Sequence, residues 1–450
     1  MTTRLNCIIM GAAGRDFHDC QTFFRSHPQF KVRAFTAAQI PFIDTRTFPA
    51  SLAGPDYDDD IPIFPEDDLP SLIARFAVDF VFLAYSDLPH VEVMHKASLV
   101  QACGASFALL GPRQTQLEST NPVISVTAVR TGAGKSPLTQ WLAGHLVQSG
   151  RRVGVLRHPM PYGDLKRQRV ERFATQDDLD RYDCTVEERE EYEPYIEQGL
   201  VIFAGVDYEA ILRQAEAEAD VILWDGGNND SSFIRPGLSI VVADALRPGH
   251  ELKFYPGETN VRGADVVVIN KVAQARAEDV RSIRANIRDL NPNCEIAESD
   301  LTVQIDDPEC VAGRRVLVVE DGPTLTHGGM SYGAGLLAAR KFNAGDVIDP
   351  RRTAVGSIRE ALAKYPHVTE VLPALGYSSE QRDELTETIN ASSADLVIDA
   401  SPAGLDGFLD LKIPTVRVRY VFQQTSGRAI EEIAEQFLKR VESTGELGTV

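Results

Sequence analysis

The residue types best suited to chemistry stand in one run, TAVRTGAGKS at residues 127–136, which follows an apolar strand and opens a helix. Glycines let successive backbone N–H groups approach phosphate oxygens, and the start of a helix adds its positive dipole end. Lys135 would reach the β- and γ-phosphates of a nucleotide, and the Ser136 hydroxyl would bind Mg²⁺. The residues expected to contact the nucleotide in this loop are Thr131, Gly132, Ala133, Gly134, Lys135 and Ser136.

The loop departs from the common pattern GxxxxGK[ST] at its first position, where Val129 replaces the glycine. The deviant pattern KGGxGK[ST] fits better, with Arg130 first and Thr131 second. That form marks the branch of phosphate-loop proteins that includes dethiobiotin synthetase and relatives of the nitrogenase iron protein. The likeness implies a catalytic role for Arg130, reaching a nucleotide across a dimer interface.

Two later strand ends complete the prediction of a nucleotide site. Asp225 ends the apolar strand VILWD about 90 residues after Lys135, which is the arrangement that holds Mg²⁺ through water. Asn270 and Lys271 end another strand as a pair that contacts the base in many phosphate-loop proteins. Ala273 stands where a guanine-reading aspartate would be, which favours ATP over GTP.

Other loops at strand ends carry side chains that bind anions through charge-assisted hydrogen bonds. Such residues are also often structural: the alternative interpretation of RHPMPYGD at residues 157–164 is a proline-stiffened connector with a solvated arginine, although the pattern favours ligand binding. EDGPTLTHGG at residues 320–329 precedes a helix and predicts a second anion nest. The candidate substrate contacts are Arg157, His158, Arg247, His250, Glu258 and His327.

Two weaker patterns stay open. The acidic run EEREEYE at residues 187–193 follows Thr185, which forms a capping box with Glu188. By composition the run predicts a solvated helix face, although a Mg²⁺–phosphate site can recruit a carboxylate from such a helix. Gly11–Asp16 resembles a Rossmann turn without the full dinucleotide fingerprint.

Composition excludes several classes of protein. The 450 residues include 65 acidic and 45 basic side chains, a formal charge of −20 that disfavours nucleic acid as a partner. No apolar run approaches the roughly 20 residues that span a bilayer, and the N-terminus offers no cleavable signal. The six cysteines form no CxxC pair, which fits a reducing cytosol. We therefore expect a cytoplasmic protein.

Strands and helices alternate along the chain, which predicts an α/β protein with mostly parallel sheets. We expect three α/β domains: a Rossmann-like domain at residues 1–120, a phosphate-loop domain at 121–312 and a C-terminal domain at 313–450 that contributes to the substrate site. The Pro- and Asp-rich stretch Pro49–Pro70 predicts a loop.

Taken in order, several runs resemble the cyclic 2,3-diphosphoglycerate synthetase family: VTAVRTGAGKS, RHPMPYGDL, EEREEYEP, PGETN followed by VVVINKV, and EDGPTLTHGG. The resemblance extends from the first strand to beyond residue 420. It implies an ATP- and Mg²⁺-dependent ligase, acting as a homodimer, that joins the two phosphates of 2,3-diphosphoglycerate as an internal anhydride and releases ADP and phosphate. ATP would activate one phosphate, and the neighbouring phosphate would displace it.

Three alternatives remain at this point. The acceptor could be another phosphorylated or carboxylated small molecule that is activated by the same step. A nucleotide-dependent switch or metallochaperone of the deviant phosphate-loop branch would instead hydrolyse ATP slowly and respond to a protein partner. A redox enzyme using the first domain would need a complete dinucleotide fingerprint.

Overall fold

The computed structural model describes residues 4–12, 14–25, 27–38, 46–158, 163–227, 230–326, 330–375, 379–401, 404–405, 409–445 and 447. Packing divides the chain into two compact units. The first unit comprises Met1–Arg172, Val201–Ser299 and Gln424–Val450, and the second unit comprises Phe173–Leu200 and Asp300–Gln423. The first unit includes the predicted Rossmann-like domain and most of the phosphate-loop domain. The finer boundaries at residues 120 and 312 stay predictions.

The N-terminal part of the first unit forms a largely parallel sheet. Its strands lie in the order Thr47–Phe48, Ile61–Pro65, Phe30–Ala37, Leu5–Met10, Phe80–Leu83 and Ser106–Ala108. Apolar clusters pack on both faces of this sheet, as a doubly covered parallel sheet requires. Its helices are Arg15–Asp19, the π-helical Cys20–Phe24, Ala50–Ala53, Leu69–Arg75, His90–Ala102 and Pro112–Thr115.

The prediction of a loop over Pro49–Pro70 was wrong. Ile61–Pro65 is a strand that pairs in parallel with Phe30–Ala37, and Ile61 and Ile63 are buried on the same face. The alternation of two isoleucines with other residues has the period of a half-buried strand, and this pattern outweighed the prolines.

A second parallel sheet carries the phosphate loop. Its strands in the first unit lie in the order Val201–Ala204, Val153–Arg157, Val221–Asp225, Val123–Ala128, Leu238–Asp244, Val266–Asn270 and the start of Glu295–Ile305. Because all these neighbours run in parallel, their carboxyl ends share one edge of the sheet. The short strands Leu88–Pro89 and Phe254–Tyr255 pair in antiparallel fashion nearby.

Apolar periodicity predicts helices at about 135–149, 207–219, 276–290 and 427–442, and the structure has them at Lys135–Gln148, Tyr208–Glu218, Ala277–Leu290 and Ile430–Thr444. A further helix, Gly257–Arg262, lies where a loop was expected. The C-terminal helix buries Ile430, Phe437 and Leu438, and its Glu435 pairs with Arg151 at 3.4 Å. The last stretch of the chain is therefore part of the first unit's core.

The second unit is also built around parallel strands. Its strands lie in the order Thr415–Ser426, Leu396–Ala400, Arg315–Asp321 and Asp346–Val347, and Leu372–Ala374 also pairs with Arg315–Asp321. The apolar pattern predicts a strand over Thr415–Val418, and the observed strand continues to Ser426. The helices are Gln176–Arg181, Val186–Ile196, Gly322–Thr326, Ala334–Lys341, Gly356–Lys364 and Ser379–Asn390.

The acidic helix Val186–Ile196 is not the solvated face that its composition predicted. Its capping box forms, with Thr185 and Glu188 exchanging hydrogen bonds, but Glu188, Glu190 and Glu193 are buried. Burial raises the pKa of Glu193 to about 7, although Arg189 opposes this shift from 3.4 Å. Composition alone cannot reveal burial, because burial depends on which elements pack against the helix.

The fold class is thus α/β with largely parallel sheets, as predicted. In the part of the chain that the structure describes, no helix is both long enough and apolar enough to cross a membrane.

Candidate active site

The phosphate loop joins strand Val123–Ala128 to helix Lys135–Gln148. Gly132 and Gly134 have φ values of +78° and +100°, in the left-handed region that residues with side chains rarely adopt. Gly134 directly precedes the first helical residue. The loop therefore turns sharply into the helix, and its backbone N–H groups lie at the helix's positive end.

A buried carboxylate, that of Asp225, lies next to the first residues of this helix. Lys135 Nζ lies 2.6 Å from Asp225 Oδ1 and 3.3 Å from Ser136 Oγ. The Arg157 guanidinium pairs with the other oxygen of Asp225, whose side chain is fully buried. Parallel pairing of Val221–Asp225 with both Val123–Ala128 and Val153–Arg157 brings these groups together. One carboxylate is thus held between two cations.

Burial lowers the pKa of Lys135 to about 8, and the Asp225 carboxylate limits the shift. Lys135 is charged at neutral pH but close to losing its proton. Added phosphates would stabilise its charged form.

Two cationic side chains and one amide side chain donate hydrogen bonds to backbone carbonyl groups of the loop. Asn270 Nδ2 donates to Ala133 O at 2.8 Å, and Lys271 Nζ donates to Gly132 O at 2.6 Å. Arg247 donates to Thr131 O at 2.8 Å. The buried Asp244, which sequence reasoning did not single out, pairs with Lys271 at 2.9 Å and with Arg247 at 2.8 Å.

These contacts change how Asn270, Lys271 and Arg247 are interpreted. We expected the first two to contact the base and Arg247 to contact the acceptor. Their side chains instead hold the phosphate loop in shape, so the base and acceptor contacts stay predictions.

Arg130 has partners within its own unit. Its Nε lies 2.9 Å from Asp87 Oδ1, and its guanidinium lies over the Phe254 ring at 4.0 Å from the centroid. Its action across a dimer interface stays a prediction. His250 was expected to bind anions as a charged group, but burial, Arg130 and Arg247 lower its pKa to about 4. It is therefore neutral at pH 7.

His158 belongs to a second buried cluster, between the two sheets of the first unit. Its Nε2 lies 2.6 Å from Asp230 Oδ2, and Arg15 Nε lies 3.4 Å from Asp230 Oδ1. A Cβ at Gly14 would collide with the His158 ring, so the N-terminal glycine turn closes directly onto this histidine. Burial opposes ionisation of Asp230, but His158 and Arg15 outweigh it, and the net pKa is below the usual value.

Sequence reasoning missed Arg15 and Asp230 as partners of His158. The signal in the sequence was the glycine turn GAAGRD at residues 11–16. By itself this turn does not indicate that Arg15 lies near His158, which is more than 140 residues along the chain.

The remaining predicted residues are Glu258 and His327. Glu258 pairs with Arg262 at 2.6 Å and lies 3.6 Å from His90 Nδ1. His327 falls outside the described residues. Among the residues that the structure describes, no group of three or more His, Cys, Asp or Glu side chains could hold a metal ion.

The second unit has its own buried carboxylate at a strand end, in the region predicted as an anion nest. Glu320 Oε1 accepts hydrogen bonds from the N–H groups of Gly333 and Leu336, both at 2.9 Å. Burial raises the pKa of Glu320 to about 7, and these N–H groups oppose the shift. The N–H groups at the start of helix Ala334–Lys341 are therefore occupied by a side chain of the protein.

The chain is 54% identical over 435 residues to the protein named arginine synthetase ArcE from Thermococcus kodakarensis, and the match covers 97% of each chain. No protein-family model matches the chain.

Among solved structures, LpxK from Aquifex aeolicus in complex with ATP resembles the fold with a TM-score of 0.44, at 12% identity over 83% of this chain and 99% of that one. Cobyrinic acid a,c-diamide synthase from Mycobacterium smegmatis, with a bound ATP analogue and magnesium, has a TM-score of 0.18 at 16% identity, covering 40% and 72%. Likenesses at these values carry no argument about ligands.

Proposed function

The chain belongs to the family of arginine synthetase ArcE, and on that premise we propose that it is an ATP- and Mg²⁺-dependent synthetase that forms arginine. The observation that carries the proposal is the contact of Lys135 with both Asp225 and Ser136 at the start of the phosphate-loop helix. This is the place where a nucleotide's terminal phosphate and its metal would be held.

The residues present fit Mg²⁺ and ATP. Mg²⁺ prefers oxygen ligands and keeps several waters, and Ser136 and Asp225 supply a hydroxyl and a carboxylate. The Lys135 ammonium already lies against both oxygens, so this position accepts a cation. When bound, Mg²⁺ would neutralise charge on the β- and γ-phosphates. Lys135 would then hold phosphate oxygens, while the ion pair with Arg157 keeps the Asp225 carboxylate in place.

The reaction follows from the product. Arginine differs from its ureido counterpart, citrulline, by one nitrogen in place of one oxygen, and that oxygen is a poor leaving group. In the first step, the ureido oxygen attacks the γ-phosphorus of ATP and forms a new O–P bond. The bond between the γ-phosphorus and the β–γ bridging oxygen breaks, and ADP leaves. Ammonia then attacks the ureido carbon, phosphate leaves with the C–O electrons, and the added nitrogen loses a proton. ADP and phosphate are released for each arginine.

The ring closure of 2,3-diphosphoglycerate uses the same first step, and it is the finer alternative that the sequence suggested. It would require cations for two acceptor phosphates in addition to those of ATP. Of the expected contacts, Arg157 pairs with Asp225, Arg247 pairs with Asp244 and His250 is neutral. This distribution of charge favours an amino acid over a diphosphate as acceptor.

The test is ADP release with ATP, Mg²⁺ and each acceptor, followed by phosphorus NMR and amino-acid analysis. Citrulline with ammonium should stimulate ADP release and yield one arginine per ADP. Lys135→Ala is the blank, and Lys412→Ala is the matched control because Lys412 is exposed in the second unit. Stimulation by 2,3-diphosphoglycerate with a cyclic anhydride signal would overturn the arginine proposal in favour of the alternative.

A homodimer and a cytoplasmic location complete the proposal. Sedimentation of the purified protein with and without ATP tests the first, and a dimer that forms with ATP would agree with action of Arg130 across the interface. Cell fractionation tests the second.

A further inference from the structure

A cavity of about 320 Å³ lies in the first unit, outside the groups that surround Lys135. Its volume is within the range of small-molecule sites. Its lining residues are Arg25, Ser51, Leu52, Lys166, Arg169 and Asp207. Three of these are cations and one is an acid, in a protein whose overall charge is −20.

The acid in this cavity is already engaged. Asp207 Oδ2 accepts from Arg169 Nε at 2.9 Å, and Asp207 Oδ1 accepts from Ala210 N at 3.1 Å as the N-cap of helix Tyr208–Glu218. In the part of the chain that the structure describes, the side chains of Arg25 and Lys166 have no hydrogen-bond or ion-pair partner. Two positive charges in the cavity are therefore available to an anion.

Lys166 also acts on an acid through space, but weakly. The pKa of Asp60 is below its usual value because of hydrogen bonds from the Ala50 N–H and then from Thr47, and Lys166 is the smallest of these causes. That interaction leaves the ammonium free to contact a ligand.

The cavity is fixed to the edge of the sheet that carries the phosphate loop. The N–H of Val206 donates to Gln168 O at 3.0 Å, and the N–H of Asp207 donates to Arg169 O at 3.0 Å. These bonds join the segment that carries Lys166 and Arg169 to the loop that follows strand Val201–Ala204. The cations are thus held by backbone contacts at the end where parallel sheets bind ligands.

The strand beside this cavity lies two strand spacings from the strand that ends at Asp225. Strand Val201–Ala204 is followed across the sheet by Val153–Arg157 and then by Val221–Asp225. Two strand spacings amount to about 10 Å, which is comparable with the length of an extended arginine molecule. An extended arginine with its carboxylate beside strand Val201–Ala204 is therefore long enough to span the two spacings to strand Val221–Asp225.

We propose that this cavity is the subsite for the α-carboxylate of the amino-acid substrate, with Arg25 and Lys166 as the contact residues. The inference rests on the proposed function. Charge-assisted hydrogen bonds from these cations bind the carboxylate, and Leu52 packs against the first methylene groups. Lys166 and Arg169 are exposed, so solvent screens the charges in the cavity. We therefore expect the contact from Arg25 and the contact from Lys166 each to raise the affinity for the carboxylate about tenfold.

The test compares ligands with and without a carboxylate. Arginine and its decarboxylated analogue agmatine are titrated by calorimetry into wild type, Lys166→Met, Arg25→Met and the control Lys412→Met, each in the presence of ADP, phosphate and Mg²⁺. The wild type and the control should bind arginine about 100-fold more tightly than agmatine. Each of the other variants should lower this preference about tenfold without changing the affinity for agmatine, and added salt should weaken it in the wild type.

Two outcomes separate this inference from the function. If the wild type makes arginine but Lys166→Met and Arg25→Met keep the full preference for the carboxylate, the subsite is wrong and the function stands. If the wild type makes no arginine from citrulline and ammonium but the preference exists and depends on both cations, the subsite stands and the reaction is wrong.

Discussion

Each unit of the protein buries a carboxylate at the end of a central parallel strand, and the two are neutralised in different ways. Asp225 in the first unit lies between the cations of Lys135 and Arg157. Glu320 in the second unit accepts hydrogen bonds from backbone N–H groups at the start of helix Ala334–Lys341. Side-chain cations can move towards phosphates when a nucleotide arrives, whereas backbone donors are fixed. The first arrangement suits catalysis and the second suits structure.

Asp225→Asn should have the largest effect, because it leaves two buried cations without a counter-charge. We expect a loss of about 3–5 kcal/mol in the free energy of unfolding and at least about a 100-fold loss of ATP turnover. Urea denaturation measures the free energy of unfolding, and ADP release measures ATP turnover. Asp395→Asn, in an exposed pair with Arg315, is the matched control and should leave both unchanged. Equal stability of the two variants would contradict the role of Asp225 as counter-charge.

Lys271→Met tests whether the cations behind the phosphate loop fix its shape. The variant loses the donor to Gly132 O and the partner of Asp244, contacts worth about 1.5–3 kcal/mol in total. We expect ATP binding to weaken by roughly tenfold to a hundredfold, measured by calorimetry, with unchanged affinity for arginine. An unaltered dissociation constant for ATP would show that the loop keeps its shape without Lys271.

The pH dependence of ATP binding tests Lys135 itself. Below pH 8 its ammonium is charged in the free protein, so ATP affinity should be constant. Above pH 8 the free protein loses this proton while bound phosphates retain it, so binding takes up a proton and affinity should fall by up to about tenfold per pH unit. Calorimetry in two buffers of different ionisation enthalpy measures the uptake. An ATP affinity that stays constant from pH 7 to 9.5 would refute the lowered pKa of Lys135.

Glu320→Gln should have the smallest effect, because an amide oxygen can accept the same two N–H groups. At pH 5 we expect the variant's unfolding free energy to lie within about 1 kcal/mol of the wild type. The pKa of Glu320 is raised to about 7, so its protonated form stabilises the fold below pH 4.5 and this contribution is lost as pH rises through 7. The wild type should therefore lose stability relative to the variant between pH 4.5 and 7.

Periodicity and local motifs predicted much of the molecule. The strands of the phosphate-loop sheet and the helices between them lie within a few residues of the expected positions, since each depends on its own apolar pattern. Lys135 and Asp225 were expected to belong to one site, because strand ends in a parallel sheet meet at one edge, but their direct ion pair was not predicted.

The rest depended on distant partners. Arg15 meets Asp230 from 215 positions away, and no local pattern links the two. His250 was expected to be charged, but its burial and its neighbours Arg130 and Arg247 decide its pKa. The acidic helix Val186–Ile196 was expected to be solvated, since composition alone does not show which elements pack against a helix.

The C-terminal helix Ile430–Thr444 has a consequence for biosynthesis. The chain begins in the first unit, leaves it twice for the second unit, and returns to complete the first unit's core with its last helix. A nascent chain therefore cannot close the unit that carries the phosphate loop until this helix has left the ribosome. Chains released before this helix is synthesised will expose the apolar surface that the helix covers.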